Sequence, residues 1–205
     1  MKYRWMKFWK AAGASGEPDT IWKPLSTRYR EPHRAYHTLT HIAHCLDELD
    51  GARKLARDPV SVEMAIWYHD AVYDPRSKDN EARSADLAAR DGDSMGLAKD
   101  RRDRVTALIL ASINHDLESD PDVRLFSDID LAILGRPPAA FAAYEKKVRI
   151  EYAWVPEPVF RAGRSKILKS FLERASIYGT AHFRRKYETA AKRNLERSLG
   201  KLGGG

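Results

Sequence analysis

Apolar positions along this chain recur at intervals of three and four residues rather than two. Leu39, Ile42, Leu46 and Leu49 share one helix face, and Val105, Leu108, Ile109 and Ile113 do so within a stretch from about Leu97 to His115. No long run alternates apolar and polar residues, and no Asn-Gly or Asp-Gly pair with β-branched flanks marks a hairpin. Asp58-Pro59 offers an acceptor at an N-cap and proline at the first helical position, which predicts a helix through Val62 and Ile66 to about Val72. Another helix is predicted from Asp79 or Asn80, with Glu81 in its first turn and Gly92 and Gly96 at its end. Glu118–Arg124, with a proline and three acids, reads as a loop, and Phe126–Leu134 as a short element closed by Gly135. Pro137-Pro138 opens the next helix, and segments near 138–153, 157–175 and 180–199 complete the set. The pattern predicts an all-α protein with one helical domain over residues 1–200 and a disordered tail at 201–205.

Composition adds limits rather than identity. Hydrophobic residues make up 43% and charged residues 32%, enough apolar material for a core that can hold a rigid site. The net charge of +7 points to anionic partners, although the cations crowding the first ten residues and the last helix read more simply as solvated faces. Nucleic acid is therefore not expected as a partner. Cys45 is the single cysteine, so neither an intrachain disulfide nor a cysteine-built zinc cage can form, which fits a reducing, cytoplasmic setting. Met1–Lys10 does not read as a signal peptide, and no stretch is long and apolar enough to predict a membrane span. Trp5, Trp9, Trp22, Trp67 and Trp154 are expected to pack in the interior.

The chemistry concentrates in a few places. His33, His37, His41 and His44 lie within twelve residues, and the spacing of the last three predicts one side of one helix. His69-Asp70 follows the apolar run Ala65-Ile66-Trp67-Tyr68, where a carboxylate needs a partner or a cation. His115 and the run Ser127-Asp128-Ile129-Asp130-Leu131 come later; Asp128 also suits the N-cap of a short helix. Imidazoles with carboxylates suit a divalent cation that keeps water in its coordination sphere. Arg30, Arg34 and Lys78 flank these residues and could clamp phosphate, although each alone also reads as a surface charge.

Taken in order, His, then His-Asp, then Asp, these residues resemble the HD superfamily of metal-dependent phosphohydrolases, and within it a bacterial group of about this length. The resemblance rests on the segment Tyr29–His37 with His41-Ile42, on Ala65–Asp74, on Asp79-Asn80-Glu81 with Ser84-Ala85, and on Asp128–Gly135, and it spans roughly residues 5 to 197. It implies an HD-domain-like helical bundle in which His41, His69, Asp70 and Asp130 bind one divalent metal: Mn, Fe, Co, Ni, Zn or Mg. His37 competes with His41 for the first position. The implied reaction is hydrolysis of a phosphate ester or anhydride of a small molecule such as a nucleotide, by metal-activated water. In that scheme Asp74 and His37 handle protons, while Arg34, His115, Lys78 and Glu81 contact substrate. Tyr73 stands where alarmone hydrolases of this superfamily carry an acid, which weakens any transfer of that substrate. A non-catalytic metal- and nucleotide-binding regulatory module, and a di-iron oxygenase, are the alternatives.

Overall fold

The computed structural model describes residues 1–113 and 120–203, and every regular element among them is helical. The helices are α1 (Lys2–Ala11), α2 (Pro18–Arg28), α3 (Leu39–Ala52), α4 (Pro59–Tyr68), α5 (Asn80–Ser94), α6 (Lys99–Ala111), α7 (Pro121–Asp130), α8 (Pro138–Glu151), α9 (Glu157–Leu172) and α10 (Ala181–Gly203). Short 3-10 turns cover Arg53–Leu55 and Leu131–Gly135. No helix of the described residues is long and apolar enough to cross a membrane. The chain divides into two compact units, Met1–Ser127 and Asp128–Gly205, and the division falls inside the continuous helix α7.

In the first unit α4 is the central element. Every residue from Ser61 to His69 is buried, as expected of a helix that is apolar all round and enclosed by neighbours. It packs against α1, α3, α5 and α6. Asp58 caps its start by accepting from the Val60 and Ser61 amides at 3.2 and 3.1 Å, as the Asp-Pro signal predicts. Trp5 lies edge-on to Trp67 at 5.5 Å between ring centroids and beside Trp22 at 6.0 Å, so α1 and α2 cover α4 with aromatic rings. Four of the five tryptophans are core residues; Trp154 is 48% exposed, contrary to the packing role expected of it. Gly96, with φ of +74°, reverses the chain after α5 in a conformation that L side chains rarely adopt.

Several boundaries differ from the sequence expectation, among them the tail expected at 201–205, whose first three residues continue α10. Residues 121–124, read as loop, are the first turn of α7, because Asp120 accepts from the Asp122 and Val123 amides at 2.8 and 3.2 Å and Pro121 starts the helix. α4 stops at Tyr68 rather than near Val72. The orphan carbonyls past its end are taken by side chains from elsewhere: Tyr29 Oη donates to Trp67 O, and Arg34 to Asp70 O and Ala71 O. Ser84 Oγ then accepts from the Val72 amide at 3.0 Å, so the chain turns away.

In the second unit α10 packs along the Leu131–Gly135 turn and α9. Gly135 sits against Tyr187 so closely that a methyl group there would overlap the Tyr187 ring and Cβ. Asp128 is not the N-cap of its own helix. Its carboxylate accepts from the Gly179 and Thr180 amides at 2.6 and 2.7 Å and from Thr180 Oγ1, fixing the start of α10. Burial pushes the Asp128 carboxyl up to about 6, against the pull of those donors.

Candidate metal centre

α4 ends at Tyr68, and His69, its C-cap, keeps helical backbone angles, φ -55° and ψ -34°. His69 Nε2 lies 3.0 Å from Asp70 Oδ2. α3 supplies His41, whose Nε2 is 3.1 Å from His69 Nε2 and 3.5 Å from Asp70 Oδ2. From α7, the Phe126 ring meets the His69 ring edge-on at 5.7 Å, and Asp130 follows one turn later on the same helix face. His41 and His69 offer ring nitrogens and Asp130 a carboxylate, a set of donors that could hold a metal ion. Both histidines are buried and Asp130 is half-buried.

The separations of 3.0, 3.1 and 3.5 Å among His41, His69 and Asp70 fit a cation. Donors about 2.1 Å from one metal ion stand roughly 3.0–3.4 Å apart in tetrahedral or octahedral arrangements. The protonation pattern allows one. His69 Nδ1 lies 3.0 Å from the Ile66 carbonyl, which can only accept, so Nδ1 carries a proton. In the neutral ring Nε2 is then an acceptor, facing a carboxylate oxygen and His41 Nε2; an Nε2–H on His41 satisfies this arrangement, and so does a metal ion shared by the three groups. The Nδ1 bond is also what a ligating histidine ordinarily makes with its other nitrogen. Burial alone would raise the Asp70 carboxyl; the imidazoles of His69, His37 and His41 hold it well below the ordinary carboxylate range. The residues present could therefore hold a metal ion.

The residues expected around this centre divide into several groups. His37 lies outside α3, whose N-cap is Thr38, so the three histidines do not share one helix. It still stands over the site, its ring 6.0 Å from that of His41 and 4.3 Å from that of Tyr73. His44 is exposed. Arg34 corrects the expectation of a phosphate clamp. Its side chain is 0% exposed, and its guanidinium donates to Asp70 O at 2.7 Å, His37 O at 3.0 Å, Ala71 O at 3.3 Å and Glu31 Oε2 at 3.0 Å. Its planar fork is spent on holding the turn that carries Asp70 to the segment that carries His37.

Asp74 is exposed in the loop after α4, its Oδ1 accepting from the Arg76 amide at 2.9 Å. The Asn80 side chain brackets it, accepting from Asp74 N and donating to Asp74 O. Lys78 is exposed on the same loop, and Glu81 is half-buried in the first turn of α5. Asp79 makes no capping bond there; its carboxylate accepts from Ser77 Oγ. His115 lies outside the described residues.

Sequence reasoning missed the supports. Tyr29, wholly buried with its hydroxyl on Trp67 O, and Cys45, whose sulfur is 3.7 Å from the His41 ring nitrogens, both brace the ligands. Cys45 was detectable as the residue one helical turn beyond His41; nothing local marked Tyr29. No family model, no curated protein and no solved structure matches this chain.

Proposed function

We propose that this protein is a metal-dependent phosphohydrolase of HD type, acting on a phosphate ester or anhydride of a small molecule such as a nucleotide. The observation that carries the reading is the meeting of His41, His69 and Asp70, with Nε2 of His69 facing the carboxylate of Asp70 and the Nε2 of His41, and with Asp130 a further potential ligand. A divalent cation at such a centre lowers the pKa of bound water and polarises a phosphoryl oxygen. The chain's own residues supply the rest. His69 is oriented by Ile66 O, and Arg34 fixes the Asp70 turn. His37, on the rim beside Tyr73, is placed to exchange a proton with substrate or leaving group. Asp74, in the adjoining loop, is the second candidate for that work.

The test is turnover. Protein loaded separately with Mn, Co, Ni, Zn and Mg is incubated with a panel of nucleotides and phosphate monoesters, alongside His69→Ala. The reading expects phosphate release by at least one metal form and none by the variant. Equal release by His69→Ala, or none by any metal form, contradicts it.

A further inference from the structure

The positive charge of this chain belongs to one of its two units. Residues 128–205 carry sixteen lysines and arginines against eight acids, and residues 1–127 carry twenty against twenty-one, so the second unit holds a net charge of +8 and the first −1. Depth sorts the charges further. In the second unit Asp128 and Glu151 are buried, Glu145 is bonded to Arg164 and Ser198, and Glu188 accepts from the Ile177 and Tyr178 amides. Among its described residues eleven cations are exposed against three acids, Glu157, Glu173 and Glu196.

The apolar side chains this unit exposes gather in one stretch of the same surface. Among the described residues they are Ile150, Trp154, Val159 and Ile167, at 62%, 48%, 61% and 49% exposure. Ile150 stands near the end of α8, Trp154 in the connection and Val159 near the start of α9, so these three occupy one helical corner. The corner is braced from within. The Arg149 guanidinium donates to Tyr152 O at 2.6 Å, Val155 O at 3.1 Å and Glu157 Oε2 at 2.8 Å, and lies over the Phe160 ring at 4.7 Å. Lys146 and Lys147 lie one turn before Ile150, and Lys166 and Lys169 flank Ile167. Glu157, the exposed acid within residues 146–170, is spent on Arg149, and Glu173 comes one turn after Lys169.

We propose that this corner docks on an anionic lipid surface. Ile150, Trp154 and Val159 enter the boundary between headgroups and acyl chains, and the four lysines meet lipid phosphates and carboxylates. An apolar cluster bordered by cations matches a bilayer, which offers hydrocarbon beneath a layer of negative charge. Tryptophan suits headgroup depth, one end apolar and the other wet. Lysine stems lie along apolar surface while their ammonium groups stay in water. A second copy of this chain, joined through the same face, would set these lysines against their own copies. A nucleic-acid strand would meet the lysines but leave Ile150, Val159 and Ile167 unused, since bases stack on aromatic rings.

The experiment is co-sedimentation of the full chain, in EDTA and about 0.1 M salt, with vesicles of phosphatidylcholine and phosphatidylserine at about 7:3. The expected result is binding to the mixed vesicles, little to pure phosphatidylcholine, and no change in His69→Ala. Lys146→Glu/Lys147→Glu and Ile150→Ser/Val159→Ser, each checked for native helicity, should weaken binding at least about tenfold. Trp154→Phe should retain binding. Brominated acyl chains should quench the tryptophan fluorescence of the parent and not that of Trp154→Phe, because the other four rings are buried. No binding to the mixed vesicles, undiminished binding by both double variants, or equal quenching in Trp154→Phe would overturn the proposal. So would a single-stranded oligonucleotide that binds the parent but not Ile150→Ser/Val159→Ser, which assigns the corner to nucleic acid. Because the assay reads binding without metal, its failure leaves the hydrolase reading standing, and the reverse also holds.

Discussion

Replacing Arg34 by methionine separates two accounts of this residue. Methionine keeps much of the length and apolar volume of the stem while removing all the donors. The structure predicts a large loss of stability, because the side chain is fully covered and four acceptors depend on it. A hydrogen bond to a charged group contributes roughly 1.5–3 kcal/mol, and a buried carbonyl left unsatisfied costs about 1–3 kcal/mol. The acceptors share one donor group and Glu31 is part-exposed, so the contributions do not add fully. The expected destabilisation is about 3–5 kcal/mol, the range for breaking a buried charged network. Urea unfolding followed by tryptophan fluorescence reports it, since Trp5, Trp9, Trp22 and Trp67 all lie in the unit that Arg34 supports. Arg34→Lys should recover only part of the loss, and exposed Arg30→Ala should stay within about 0.5 kcal/mol of the parent. A phosphate clamp would behave oppositely: unchanged unfolding with a raised KM. If Arg34→Met unfolds within about 1 kcal/mol of the parent, the positioning role is wrong.

Other outcomes follow from the same geometry. Gly135→Ala should destabilise the second unit by about 1–3 kcal/mol, measured by chemical denaturation, because the new methyl meets Tyr187 with no free volume. The Arg104 guanidinium holds the Asp120 carboxyl well below its ordinary value of 3.8, so its stabilisation is complete above that pH and is lost as pH falls below it. Asp120→Asn should therefore flatten the acid limb of a stability-versus-pH profile below about pH 4. Asp74→Asn should lower kcat by roughly 10²–10⁴ with metal content unchanged if Asp74 moves a proton, and an unaltered kcat removes it from that role.

Much of the fold was legible because its signals are local. Asp58-Pro59 announced α4, and Asp120-Pro121 carries the same signal for α7, hidden by the neighbouring acids that made the segment look like loop. The end of α4 was not legible. The residues that terminate it, Tyr29, Arg34 and Ser84, are distant in sequence, and no periodicity encodes a carbonyl being taken by a remote arginine. The same limit explains Arg34, whose charge looked superficial beside Arg30 until its burial was known, and Asp128, whose partners are some fifty positions away. Of the site, the resemblance offered His41 or His37 with His69, Asp70 and Asp130; what sequence alone could not supply was which of the two histidines meets His69, since that depends on the packing of α3 against α4.

The most direct test of this account is metal stoichiometry read together with position. Metal analysis of the purified protein, paired with anomalous diffraction at the edge of the bound element, should find about one ion per chain within bonding distance of His41, His69 and Asp130, and His69→Ala should abolish it. An ion-free centre after exposure to Mn, Fe, Co, Ni, Zn and Mg, or an ion bound elsewhere and retained in His69→Ala, would contradict the account.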